Sequence, residues 1–473
     1  MPTYLDLSVA RIQQYLGRTP QLRGRRGASA LLGHDQLWSV IRPAVAAVAN
    51  GARLNEEAGE VDGVVSLVLD SADPATVARA ALARLREHLP AAELSAEWGD
   101  GDDYVSYRAA VKAWRLAGIG PGAGIGGTGA TGGAGALVDL PPVAEVPALL
   151  LCRACRLDPA VDKVEVPVGE TPVGGRPTDA ASGRGGRADR TEKLDVCADC
   201  AVRFRTSRRS GPQKTVWDLL SGLLDDLAPS PEDAFPQDLE DLARAAGRRQ
   251  TQIATIAVDG NGLGAVLEEL AARGVRKSEL VQKIDKATAD ALQMALFTFA
   301  DDPRVAGYIN ARCGDDRGRS RGKGRLPIEP HVLGGDDVLV TVPAPLGWPF
   351  VREFLEHFTR AGQAAVEELL GEGRSLPGGL PKISASAGMV FSHFSEPIAD
   401  LVDSVSGLLR TAKQAVAGST ASIMWLDITE EGRQVPGHRA PLLLTDLTDG
   451  RADGLDPALR ALAALPGSRQ ARP

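Results

Sequence analysis

Apolar and polar positions along this chain of 473 residues change period several times, and each change marks an element. Near the amino terminus, Tyr4 to Val9 forms a short apolar run that predicts a strand, followed by a charge-rich helix. A second apolar run, "VDGVVSLVLD", then precedes "DPATVARAALARLREHL", whose apolar residues recur at helical spacing. Residues 1–116 therefore read as one unit of mixed strands and helices. From Ala117 the sequence "AGIGPGAGIGGTGATGGAGA" has too much glycine and too few large apolar side chains to pack, so 117–147 reads as a linker.

Two C-x-x-C pairs lie in the next segment, 148–210, around a polar, glycine-rich insert without periodicity, "GETPVGGRPTDAASGRGGRADR". That insert is expected to be disordered. Residues 211–250 read as a helical bridge with a "PSPED" break. From Gln252 the order is strand "QIATIAVDG", helix "LGAVLEELAARG", a longer helix through Ala300, and the hairpin "HVLGGDDVLVTVP". Helix "WPFVREFLEHFTRAGQAAVEELL", strand "KISASAGMVFS", helix "EPIADLVDSVSGLLRTAKQAV" and strand "SIMWLDI" follow. Its core is β-α-β-β-α-β, the split βαβ order of ferredoxin-like folds, over 251–440. The tail, 441–473, is rich in Pro, Gly and Arg and is expected to fray.

Charge and composition narrow the function. A net charge of −8 argues against a surface that is wholly a nucleic-acid footprint. No long apolar run and no signal-peptide succession are present, so a cytoplasmic chain without membrane contact is expected. In a reducing compartment, Cys152, Cys155, Cys197 and Cys200 point to a metal rather than disulfides. Tetrahedral Zn2+ held by four thiolates suits two short spacings joined by a long loop, and its role would be structural. Cys313 stands outside the pairs and reads as an incidental thiol.

The hairpin carries the candidate chemistry. Gly334 and Gly335 supply the tight turn, and Asp336 and Asp337 stand side by side at its tip. Adjacent carboxylates repel and raise one another's pKa unless a cation compensates; a divalent metal, Mg2+ or Mn2+, is the usual one. The alternative is a merely solvated turn. Asp259 closes the strand that a split βαβ sheet places beside this hairpin, and Gly260 and Gly262 allow close approach at a helix amino terminus. Asp259 and Asp336 are thus placed to share one metal, as in phosphoryl transfer. A common D-G-N turn is the other reading of Asp259.

The "GGDD" hairpin, "VDGNGLG", and "SASAG" followed by "LLRTAKQA" resemble the second palm domain of the large polymerase-like subunit (Cas-ten) of type III CRISPR effector complexes. The amino-terminal stretch "YLDLSVARIQQYLGRTPQLRGRRGASALLG" is similar to that family's first palm, and the two C-x-x-C pairs match its layout. The resemblance implies an α+β chain with two ferredoxin-like domains of the palm, or GGDEF-type cyclase, kind around a zinc-binding and helical segment. It implies an enzyme joining ATP molecules, 3′-hydroxyl onto α-phosphate, into cyclic oligoadenylates in antiviral defence. In that frame Asp259, Asp336 and Asp337 hold metal and triphosphate, and Gly260 and Asn261 line the nucleotide with Gly334, Gly335 and Ser386. Lys413 matches a helix lysine that faces the triphosphate, a solvated helix lysine being the alternative; the small side chains of "SASAG" suit either a nucleotide lying against the sheet or a tightly packed core strand. Asn261 stands where many relatives have a second acid, which bears on a second metal.

Many relatives also carry an amino-terminal HD nuclease domain. This chain begins at the first palm, and the dipeptide His34-Asp35 reads as chance, so no DNA nuclease activity is expected. The helical domain by which relatives dock small subunits is expected to be reduced. Basic clusters at Arg18–Gly27, Arg203–Arg209 and Arg317–Arg325 are placed to touch RNA phosphates, solvated loops being the alternative. Two rivals remain: a scaffold subunit of a CRISPR effector complex that binds nucleotide or RNA without turnover, and a cyclase with another cyclic product.

Overall fold

A computed structural model describes residues 1–19, 22–116, 134–141, 150–167, 191–206, 212–220, 234–236, 238–247, 249–300, 326–371, 382–437 and 439–445. Most of the glycine-rich linker, the insert between the cysteine pairs, Cys313, the basic run Arg317–Arg325 and the last residues of the tail lie outside them. The chain divides into two compact units, one built mainly on Met1–Thr215 and one mainly on the residues from Val216 onward.

The first unit begins with β1 (Thr3–Ala10), α1 (Ile12–Gly17), α2 (Leu22–Leu32), α3 (His34–Val48) and β2 (Arg53–Leu54). It continues through β3 (Val64–Leu69), α4 (Pro74–His88), β4 (Glu93–Asp100), α5 (Tyr104–Leu116) and β5 (Gly135–Asp139). Its sheet runs β2-β3-β1-β4-β5, and β1 is antiparallel to both of its neighbours. Local sequence sets the start of α4: Asp73 accepts from the Thr76 N–H at 3.0 Å, and Pro74 opens the helix. β6 (Asp162–Pro167) and β7 (Thr191–Val196) form a separate ribbon, and α6 (Ala198–Thr206) packs against α2. Gly27 is required in α2, because a Cβ there would overlap the backbone of Arg203. Of the basic cluster Arg18–Gly27, residues 22–27 lie in α2 rather than in a loop. Arg203, expected in a basic, RNA-facing cluster, is instead fully buried in α6.

In the second unit, α7 (Pro212–Leu220) and α8 (Leu239–Arg244) precede β8 (Gln252–Asn261), α9 (Leu263–Ala272) and α10 (Lys277–Ala300). Then come β9 (Glu329–Gly334), β10 (Asp337–Pro343), α11 (Gly347–Leu370), β11 (Ser384–His393), α12 (Ile398–Ala415), β12 (Ser422–Asp427) and β13 (Leu442–Leu443). The sheet order is β13-β12-β11-β8-β10-β9. Strands β11-β8-β10-β9 repeat the order β4-β1-β3-β2 of the first sheet, so both units are mixed α+β with the split βαβ arrangement. β8 is buried along most of its length, with apolar residues dominating 253–258, because strands flank it on both sides and side chains cover both faces. On α11, Phe350, Phe354 and Phe358 are buried at every fourth position and stack in succession, with centroids 5.9 and 6.1 Å apart. The tail is not wholly loose, since Leu442 and Leu443 pair with β12. Among the described residues no helix is long and apolar enough to cross a membrane.

Close approach of α12 to β11 depends on Gly388, where a Cβ would meet the Leu409 nitrogen at 2.6 Å and overlap the Val405 carbonyl. Gly388→Ala should therefore destabilise the second unit by about 1–3 kcal/mol through overpacking. A lowered urea midpoint checks this; an unchanged midpoint contradicts it.

Candidate active site

The hairpin joining β9 and β10 turns through Gly335 and Asp336, with Asp337 already paired to Gly334. Gly335 has φ of 60°, a left-handed conformation that glycine adopts without strain. Thr288 on α10 donates from its hydroxyl to the Gly335 carbonyl at 2.7 Å and fixes the turn. β10 pairs antiparallel with β8 in the register Val338 to Val258, which sets Asp337 beside Asp259. Asp336 reaches the same place from the turn, where its Oδ2 accepts the Gly260 N–H at 3.1 Å. Gly260 cannot be larger: a Cβ would stand 2.7 Å from that oxygen and overlap Leu263.

Three carboxylates thus meet at one sheet end. Asp336, half-buried, has its pKa pushed up to about 7, first by burial, then by the charge of Asp259 and a hydrogen bond with it, then by Asp337. Asp337 is pushed up to about 6, again first by its surroundings and then by Asp259, with Lys413 pulling it down. Its side chain opens to solvent, so screening weakens the second shift. Both shifts describe a site that gains from a cation, and the donor set, all carboxylate oxygens, suits a hard divalent ion. Gathering is looser than at the cysteines, because the three acids do not all lie within 4.8 Å of one another.

Lys413, from the last turn of α12, does reach the site, but its ammonium is bonded to Asp259 and to the Gly260 carbonyl at 2.7 Å. The cation expected to face a triphosphate is here paired with an acid expected to hold metal. Beside them, Gly262 is left-handed at the amino end of α9, with φ of 71° and no side-chain cap.

Asn261 and Ser386 depart from expectation. Both are buried, at 2% and 0% exposure, so neither lines an open surface. The Asn261 amide nitrogen lies 3.0 Å from Ser384 Oγ, Ser386 Oγ and the Thr420 carbonyl, which share its two protons, and Ser386 also approaches its Oδ1 at 3.2 Å. Ser386 in turn meets Ser422 at 2.9 Å. This network ties the end of β8 to β11 and to the turn after α12, which carries Lys413. Sequence reading singled out "SASAG", which begins at Ser384, but missed Thr420, Ser422 and Thr288, because each acts on a partner tens to hundreds of positions away.

In the first unit, the four cysteine sulfurs lie within 4.8 Å of one another, and this set can hold a metal. Cys155 and Cys197 sulfurs are 3.8 Å apart, and a tetrahedral site with metal–sulfur bonds of about 2.3 Å requires a separation of about 3.8 Å. Backbone N–H groups of Cys155, Leu157 and Cys200 point at cysteine sulfurs at 3.4–3.5 Å, as thiolate ligands require. Cys200 is pushed up and Cys152 down, in each case first by hydrogen bonds with the other cysteines, since four neighbouring thiols cannot all ionise without a cation. His34, Asp35 and Glu60 also approach one another, with both acids exposed.

Residues 252–419 match the family model of the Cas10/Cmr2 second palm domain, and the match spans the carboxylates, Asn261, Ser384, Ser386 and Lys413. Across this segment the chain is similar to that second palm domain. Among solved structures, the Csm1-Csm4 cassette in complex with cA4 is 14% identical with a TM-score of 0.42, covering 89% of this chain and 54% of that one. The same cassette with AMPPNP gives 15% identity and a TM-score of 0.41 over the same shares. The Csm1-Csm4 subcomplex of the type III-A CRISPR-Csm interference complex gives 16% and 0.37. The chain spans about half the length of these matched chains. No curated protein matches it.

The amide at Asn261 supplies protons that a carboxylate lacks, and the Thr420 carbonyl has none to give. Asn261→Asp should therefore cost about 1–3 kcal/mol of stability by leaving buried acceptors opposed. Denaturant unfolding of the variant checks this, and wild-type stability contradicts it.

Proposed function

We propose that the second palm is a divalent-metal-dependent nucleotidyltransferase of CRISPR type III-like antiviral defence, converting ATP to cyclic oligoadenylates. One observation carries the reading: Asp259, Asp336 and Asp337 meet at the edge of a domain matched by the Cas10/Cmr2 second palm model. In each step the 3′-hydroxyl of one nucleotide loses its proton to solvent, its oxygen forms a bond to the α-phosphorus of another, the bond to the β-phosphate oxygen breaks, and pyrophosphate leaves. Mg2+ or Mn2+ held by these acids would supply charge stabilisation for that displacement.

The chain's own residues have separate tasks. Gly260, without a side chain, lets the Asp336 carboxylate close onto its N–H beside the nucleotide, and the uncapped amino end of α9 favours phosphate. Gly334 and Gly335 keep the hairpin narrow beside the triphosphate. Lys413 moves from Asp259 to the phosphates, so that its charge meets the leaving pyrophosphate. Asn261 and Ser386 brace the frame rather than touch substrate.

Cytoplasmic location, RNA and effector-complex subunits as partners, and Zn2+ at the four cysteines belong to the same proposal. A second reading, a nucleotide- or RNA-binding scaffold, is favoured by one observation: the Lys413–Asp259 pair already neutralises one of the three acids.

With ATP and Mg2+, mass spectrometry should detect cyclic oligoadenylate from the wild type. Asp336→Asn with Asp337→Asn should reduce it by a factor on the order of 10² or more. Equal synthesis by the double variant overturns the active-site assignment, and tight ATP binding without any product supports the scaffold. Metal analysis of the purified protein should find about one zinc per chain, lost on Cys197→Ser; a zinc-free wild type contradicts the zinc assignment.

A further inference from the structure

The cysteine centre is joined to the first palm by a buried polar cluster that the proposed reaction does not use. Arg203 follows Cys200 by one turn of α6 and is wholly buried. Its Nε lies 2.7 Å from Asp199, its Nη2 donates to the Tyr15 carbonyl at 2.8 Å, and its guanidinium stacks 4.0 Å from the Tyr15 ring. The Tyr15 hydroxyl donates to Asp199 at 3.2 Å, and Arg18 reaches Asp158 at 2.5 Å. These contacts run between the segment holding α1 and α2 and the segment holding the cysteines.

Thr19 stands at the centre of this junction, between α1 and α2, with 0% exposure. Its hydroxyl is 3.7 Å from the Cys200 sulfur and receives the Arg203 Nη1 donor at 3.4 Å. Donor direction settles the roles. A guanidinium has only protons to give, so the Thr19 oxygen accepts from Arg203, and its one proton is left for the sulfur. A sulfur bound to metal is a thiolate, which accepts such a bond strongly. Packing keeps the hydroxyl there: a Cβ at Gly24 of α2 would overlap the Thr19 methyl, and Gly27 rests on the Arg203 backbone.

We infer that Thr19 is a positioning residue for the four-cysteine metal centre: its hydroxyl, oriented by Arg203, donates to the Cys200 thiolate and couples metal retention to the first palm's α1–α2 turn. This rests on the proposed zinc reading of the cysteines. Groups that hydrogen-bond metal ligands typically set metal affinity by about 10–100-fold. Loss of the Thr19 proton therefore speeds metal release without removing a ligand.

The test uses the zinc-loaded full chain and follows transfer of zinc to a chromogenic chelator. Thr19→Val keeps the shape but removes the proton, and should release zinc at least about 10-fold faster. Thr19→Ser keeps the hydroxyl and should restore slow release. Thr19→Ala, smaller than the native residue, makes the same comparison should the valine variant not fold. Release from the Val and Ala variants at the wild-type rate overturns the inference while leaving the zinc reading intact. A wild type that holds no zinc overturns both.

Discussion

Like-charged carboxylates crowded at the end of one antiparallel pair are the constraint on which the second unit turns. The pairing of β10 with β8 places Asp337 beside Asp259, and the two-residue turn swings Asp336 onto the Gly260 N–H. Repulsion among them is relieved in this structure by Lys413, by one backbone donor, and by raised proton affinity at Asp336 and Asp337. Everything around the site keeps that strained arrangement in place. Thr288 holds the turn, Asn261 ties β8 to the turn after α12, and Gly388 lets α12 lie close enough for Lys413 to arrive.

The first unit has the same order in four of its strands but handles its acids differently. Asp6 and Glu97 face each other across β1 and β4, and both are buried. Arg108 of α5 bonds Asp6 at 2.7 Å, and Arg115, two turns later, bonds Glu97 at 2.8 Å. Tyr104 adds a hydroxyl donor to Asp6 at 3.2 Å. Each of these acids is met by an arginine of α5, so this sheet uses carboxylates to seat a helix. The contrast lies in side-chain partners, not in topology.

Much of this was legible from residues adjacent in sequence. The hairpin glycines, the paired aspartates, the acid closing β8 and the two C-x-x-C pairs announce their geometry over a few positions. The split βαβ order followed from hydrophobic period alone. What could not be read is what long-range packing decides. Arg203 sits in a run of basic residues and looks like surface, yet Tyr15 and Asp199 bury it. Asn261 looks like a nucleotide contact, yet two serines of β11 and the Thr420 carbonyl hold its amide in the interior. Lys413 was found in the expected place but paired with an unexpected partner, because no local pattern records whether an acid or a phosphate meets an ammonium.

The central claim is that Asp259, Asp336 and Asp337 form a divalent-cation site that opens when nucleotide draws Lys413 away. Electron paramagnetic resonance of Mn2+ titrated into the protein with a non-hydrolysable ATP analogue tests it most directly. The account predicts Mn2+ uptake that requires the analogue and vanishes when Asp336 and Asp337 are replaced by Asn. Uptake unchanged by those substitutions, or none with the analogue present, would contradict it.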